Sequence, residues 1–212
     1  AAAMCRDRKR STVYVSGAAN PGVIEVIKTY CFGSNAKVVI VPEKCGVTDT
    51  EALAGMMKAD AHAACFYVQQ PNYFGNMEDG DGLGRIVHDA GAKYIMGCNP
   101  MALAVMKTPA GYGADIAVGD GQPLGMPLAF GGPYLGFMAA TAAMARKLPG
   151  RIVGETKDDK GERAFVLTLQ AREQHIRREK ASSNVCSNQA WCALTASVYM
   201  TAMGADGMAE AA

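Results

Sequence analysis

The richest chemistry in the chain lies in GDGQPLGMPLAFGGPYLGF, residues 119–137, where glycine and proline interrupt an apolar run. Gln122 stands there at a point where the chain is built to present a reactive side chain. Glycines at the end of a strand let backbone approach a phosphate or a flat cofactor, so the loop raises the question of cofactor binding. A dinucleotide fingerprint needs G-x-G-x-x-G opening a helix directly after a strand. Gly119, Gly121 and Gly125 are spaced one residue too widely for it, and Pro123 and Pro127 stop a helix from forming. A second run, GDGLG at 80–84, does precede a helix, but Asp79 and Asp81 are capping residues whose charge repels phosphate. No G-x-x-x-x-G-K-[ST] sequence occurs, and nucleotide phosphate binding is not expected.

Two other stretches carry side chains of chemical interest. In QQPNYFGNMED, 69–79, Gly75 permits a sharp turn after Asn72; Tyr73 and Phe74 could stack on a flat ligand, seal an interface or fill core. In QAREQHIRREK, 170–180, Arg172, Glu173, His175, Arg177, Arg178, Glu179 and Lys180 crowd together. On a helix, Glu173–Arg177 and His175–Glu179 are neighbours four apart, as on a solvated ion-pair face. The planar arginine fork equally suits an interface or an anion, and both readings stay open. The other histidines are isolated: His62 precedes a strand and reads as surface, while His88 lies near a helix end, where a cation is favoured. The cysteines at 5, 31, 45, 65, 98, 186 and 192 have neither C-x-x-C nor zinc-ligand spacing. Reduced, mostly buried thiols and no metal are expected.

The elements that must position these residues alternate along the chain. STVYVSG, AKVVIVP, AACFYVQQP, KYIMGCNP, ADIAVGD and LGFMAAT read as strands. Helices fall at 23–32, in TDTEALAGMMKAD (entered through Thr48 as N-cap with Glu51 as capping box), at 82–90, and briefly at 101–106. Strands separated by helices predict βαβ crossovers, and hence an α/β fold with a mostly parallel sheet flanked by helices. Ligands in such sheets collect at the carboxyl ends of the strands, which directs attention to Ser16–Gly17, Gln70–Asn72, Asn99–Pro100 and residues 119–122. GETKDDKGER, 154–163, reads as the tip of a hairpin.

Half of the residues are hydrophobic and 19% are charged, which excludes a disordered chain, and a net charge of +1 offers no basic surface for nucleic acid or anionic lipid. No apolar stretch reaches the ~20 residues that cross a bilayer. Free thiols without a signal-peptide pattern suit a cytoplasmic protein. AAAMCRDRKR reads as the tail of a helix with its basic residues in the last turn, and the residues after Val185 as the start of a long apolar helix. A fragment of a longer chain is therefore expected, with 1–150 as an α/β large domain and 151–212 as a connecting hairpin and the start of a helical region.

GADIAVGDGQPLGMPLAFGGPYLGF, PGRIVGET and FVLTLQAREQHIRREKASSNVCSNQA, together with VTDTEAL and QQPNYFGNMED, resemble the glycine cleavage system P-protein, glycine dehydrogenase (decarboxylating). The likeness is to its first subunit, or to the N-terminal half of the single-chain form, and it runs through nearly the whole chain. It implies the aspartate-aminotransferase-like large domain of fold type I pyridoxal-phosphate (PLP) enzymes. It also implies a decarboxylation of glycine that releases CO2 and passes the aminomethyl group to the lipoyl arm of H-protein. In the family's cofactor-bearing half, the Schiff-base lysine lies a few residues before a Gly-Gly-Pro; counting back from Gly131, Gly132 and Pro133 places Gln122 there. The carboxylate that pairs with the pyridine nitrogen belongs at the end of KYIMGC, where Asn99 stands. The glycine-rich phosphate loop belongs upstream of residue 1. The resemblance thus implies an alpha subunit without catalytic residues of its own, with PLP on a second subunit in an α2β2 assembly. Asn72, Tyr73, Phe74, Gly75, the turn at Gly131–Gly132–Pro133, and Arg172, His175 and Arg177 are the residues expected to support the partner's pocket. The alternative is a scaffold or H-protein docking module that takes no part in the chemistry.

Overall fold

The computed structural model of the chain describes residues 1–149, 152–168, 174–180 and 188–212. After a one-turn helix α1 (Ala2–Cys5), the elements run β1 (Thr12–Ser16), α2 (Pro21–Gly33), β2 (Val38–Val41), a short pair β3 (Glu43–Lys44) and β4 (Val47–Thr48), and α3 (Thr50–Ala59). They continue with β5 (Ala63–Gln70), α4 (Gly80–Asp89), β6 (Lys93–Cys98), β7 (Ile116–Asp120) and β8 (Gly136–Ala140). The central sheet has the order β2-β1-β5-β6-β7-β8. All its neighbours are parallel except β7 and β8, which are antiparallel. This is the expected α/β sheet.

Why these strands sit inside follows from their period of two. Tyr14, Phe66, Val68, Tyr94 and Met96 point to one face, where Leu53 and Met57 of α3 and Leu83 and Val87 of α4 meet them. Their strand neighbours Val13, Val15, Cys65, Tyr67 and Ile95 point to the other, toward α1 and the partly buried Val23, Ile24 and Ile27 of α2. Covered on both faces, β1 and most of β5 and β6 are apolar runs without alternation. Each fully buried side chain, such as Leu53 or Phe66, contributes roughly 1.5–3 kcal/mol relative to exposure.

Three local expectations need correction. Asp49, not Thr48, caps α3, accepting from the Ala52 N–H at 2.9 Å, and no capping box forms. Thr48 is held in β4, its hydroxyl 2.8 Å from that of Ser16. The basic residues 6–10 do not end a helix, because the chain is already extended at Arg6. Asp7 then turns it by accepting from the Lys9 and Arg10 N–H groups. The short helix expected at 101–106 is a single 3-10 turn, Ala102–Ala104.

Two ties close the amino end of the sheet. Arg10 Nη1 donates to the carbonyls of Ala63 and Ala90, at 2.8 and 2.9 Å. Asp115, just before β7, accepts from Lys93 Nζ at 2.8 Å, the Tyr94 N–H at 2.9 Å and His88 Nε2 at 3.0 Å. Beyond the sheet, β9 (Ile152–Lys157) and β10 (Arg163–Thr168) form the expected antiparallel hairpin. α5 (Gln174–Arg177) is one turn, and α6 (Asn188–Ala211) is long and kinked at Gly204. No helix among the described residues is long and apolar enough to cross a membrane.

Candidate functional site

β1, β5, β6 and β7 end on one side of the sheet, as parallel pairing requires, and beside their carboxyl ends lies a cavity of about 920 Å³. Its polar lining includes Asn20, Gln69, Asn99, Asp120, Gln122 and Tyr134. Its floor includes Tyr67 and Gly97, and the two are matched: a Cβ at Gly97 would lie 2.8 Å from Tyr67 Cζ. Burial pushes the Tyr67 phenol up to about 12, and raises the Cys98 thiol above its ordinary value. Both stay protonated at neutral pH, so neither is a base.

The structure brings Gln122 and Asn99 to this one cavity, and both amides are engaged in shaping their own turns. Gln122 Nε2 donates to the Met126 carbonyl at 2.8 Å, and its N–H donates to Asp120 Oδ1 at 2.8 Å. Asn99 is exposed, its Oδ1 accepting from the Met101 N–H at 3.0 Å. The glycines of the loop serve packing. A Cβ at Gly119 would lie 2.6 Å from the Phe137 ring, and one at Gly125 would lie 2.7 Å from Tyr199 of α6. Gly131, at φ +91°, and Gly132 turn the chain beside an almost fully exposed Phe130, and with Pro133 they stay off the cavity wall.

The cavity does not suit PLP held as an imine. Among the described residues no lysine lines it, and a primary amide forms no imine. Its positive side chain is Arg6, whose Nη1 and Nη2 donate to Ser34.

A second assembly stands at the ends of β1 and β5. Asn72 is its hub: its Oδ1 accepts from the Phe74 and Asn76 N–H groups, both at 3.0 Å. Its Nδ2 donates to the Gly46 carbonyl at 2.8 Å and to Glu78 Oε1 at 2.9 Å. The loop coiled around it, with Gly75 at φ +79°, leaves Tyr73 54% and Phe74 55% exposed, edge to face at 5.7 Å. The core reading of these two rings therefore falls away.

Arg172 lies outside the described residues. His175 falls in the α5 turn, and Arg177 at its end is exposed and does not line the cavity. Glu78 had no signal in the sequence, because NMED reads as an ordinary acidic helix entrance; Ser16 reads there only as a strand end and Thr48 only as a helix cap. Only their contacts show that they form one buried polar cluster.

The whole chain, residues 1–212, matches the family described as glycine cleavage system P-protein. The chain belongs to the glycine cleavage system P-protein family. It is 53% identical over 204 residues to the probable glycine dehydrogenase (decarboxylating) subunit 1 of Brevibacillus brevis, covering 96% of this chain and 45% of that protein. The corresponding protein of Shouchella clausii is 49% identical over 208 residues, 98% of this chain and 46% of its own. Among solved structures, a glycine decarboxylase (P-protein) in inhibitor-bound form superposes with a TM-score of 0.89 at 41% identity, covering 99% of this chain and 46% of that one. Pyridoxamine–pyruvate aminotransferase from Mesorhizobium loti, at TM-score 0.57 and 19% identity over 99% of this chain and 50% of that one, shares the fold alone. The P-protein chain thus has the aminotransferase-like fold of PLP enzymes, and it spans about half the length of the curated relatives it matches.

Proposed function

We propose that this chain is the cofactor-lacking half of a glycine-decarboxylating P-protein, an alpha subunit that completes the active site of a lysine-bearing partner. The observation that carries the reading is Gln122, an amide tied to the Met126 carbonyl on the wall of a cavity that no lysine lines among the described residues. PLP, on the partner, supplies the electron sink for decarboxylation; this chain contributes surface and shape. The loop Asn72–Gly75, exposed from Tyr73 onward, the turn Gly131–Gly132–Pro133, and Arg172, His175 and Arg177 are the residues assigned to that contact. Glycine is the substrate, the lipoyl arm of H-protein accepts the aminomethyl group, and the assembly is an α2β2 complex in the cytoplasm. Residues 1–150 act as the large domain, and 151–212 lead out of it.

Co-expression with the partner, followed by glycine–bicarbonate exchange with and without it, tests this reading. Exchange is expected only from the pair, with borohydride fixing pyridoxal to the partner polypeptide alone. Exchange by this chain without a partner, or pyridoxal bound covalently to it, would refute the proposal. Alanine at Gln122 and Asn99 with unchanged turnover and intact assembly would favour a pure scaffold, a role that the exposed Phe165 of the hairpin and Trp191 and Val198 of α6 would also suit.

A further inference from the structure

Glu78 is a carboxylate with only 6% of its surface exposed, and among the described residues it has no ion-pair partner. Neutral donors hold it instead. The Thr48 N–H reaches Oε2 at 2.9 Å and Oε1 at 3.2 Å, and Asn72 Nδ2 reaches Oε1 at 2.9 Å. Its backbone is clamped as well: its N–H donates to Gln70 Oε1 at 2.9 Å, and its carbonyl accepts from Gln70 Nε2 at 3.2 Å. Burying a charge without a counter-charge is costly, and a loop can be anchored by neutral groups alone. The carboxylate has one property that an amide lacks, the ability to accept on both oxygens. A glutamine at 78 would turn its NH2 either toward the Thr48 N–H or toward Asn72 Nδ2, donor against donor. Asn72 cannot flip to relieve this, because its Oδ1 is committed to the N–H groups of Phe74 and Asn76. The two acceptor oxygens therefore match the orientation that the Phe74 and Asn76 N–H groups require of the Asn72 amide, and that amide holds the loop from which Tyr73 and Phe74 project.

We infer that Glu78 is a positioning residue that acts through Asn72 to hold the Tyr73–Phe74 tip in the attitude in which it meets the partner subunit's glycine pocket. This rests on the function proposed above, with the tip as the contact. The test uses the assembled enzyme at full natural length with its partner and H-protein, assayed for glycine–bicarbonate exchange. Exchange by the wild-type chain without its partner would sink the functional reading and this inference with it. With that dependence established, E78Q is expected to lower kcat/KM about tenfold, ~1.4 kcal/mol, chiefly by raising KM for glycine, with co-purification retained and Tm lowered by only a few degrees for the buried donor left unpaired.

The double variant Y73A/F74A is expected to lose at least as much, and the triple variant Y73A/F74A/E78Q to be no worse than the double. Losses that multiply in the triple variant would show that Glu78 acts independently of the tip, and would overturn the proposal. Wild-type kcat/KM in either E78Q or Y73A/F74A would overturn it equally, while leaving the functional reading in place. If E78Q fails to assemble, E78Q/N72D takes its place in the cycle, since the amide introduced at position 78 can then donate to the carboxylate introduced at position 72. Its kcat/KM is expected to lie nearer wild type than that of N72D alone, and the opposite ranking refutes the inference.

Discussion

Replacing Asp115 probes the electrostatics of the amino end of the sheet. Burial works against the charge of this carboxylate, but the hydrogen bonds from Lys93, the Tyr94 N–H and His88 outweigh it and hold the carboxyl below its usual range. In Asp115→Ala all three donors lose their acceptor. Lys93 and His88 are 40% and 44% exposed at their side chains and can turn to water, which limits their loss to about 0.5–1 kcal/mol each. The Tyr94 N–H is buried and left unpaired, at a cost of about 1–3 kcal/mol. The sum is roughly 2–5 kcal/mol. Asp115→Asn keeps an acceptor for the Tyr94 N–H but loses the charge and turns its NH2 toward the Lys93 ammonium, which can swing to water, so it should cost about 1–2 kcal/mol.

The pH dependence has a definite sign. A carboxyl whose folded pKa is depressed contributes stability above its unfolded pKa of about 3.9, and loses that contribution as pH falls through the folded value. Urea midpoints of wild type and Asp115→Asn should therefore differ at pH 7 and converge toward pH 3. A gap of equal size at both pH values would refute the electrostatic account, and an Asp115→Ala midpoint equal to wild type would refute the whole assignment.

Arg10→Ala strips the donor from the Ala63 and Ala90 carbonyls and should cost roughly 1.5–3 kcal/mol in urea unfolding; Arg10→Lys, with a point charge in place of the fork, should recover part of it. Gly97→Ala drives a methyl group into the Tyr67 ring and should lower stability by about 1–3 kcal/mol in a thermal scan, with Tyr67 displaced into the cavity. Asp49→Ala should cost about 1 kcal/mol as the loss of a cap, whereas Asp49→Asn should be near neutral by the same measurement.

The fold was legible because β-branched and aromatic runs alternate with helical spacing, and that periodicity is a local property of sequence. Gln122 and Asn99 were also legible, since both fall where strands end and parallel pairing brings strand ends together. The cap at Asp49 was misplaced by one residue because Thr48 is drawn into β4 and onto Ser16, a contact between residues 32 apart. Tyr73 and Phe74 were ambiguous for a similar reason: two adjacent aromatics look the same in sequence whether the loop coils inward or out.

What the chain determines by itself is which residues want to be strand, helix or turn, and that no amine stands at position 122. What only the tertiary structure decided is where charge is buried and what holds it. Glu78, in a segment that reads as a polar turn, lies 6% exposed because the Gly46–Thr48 turn and the Asn72 amide, from different parts of the chain, close over it. The cost of burying a carboxylate depends on donors that folding brings from 6 and 30 residues away, and no local pattern records them.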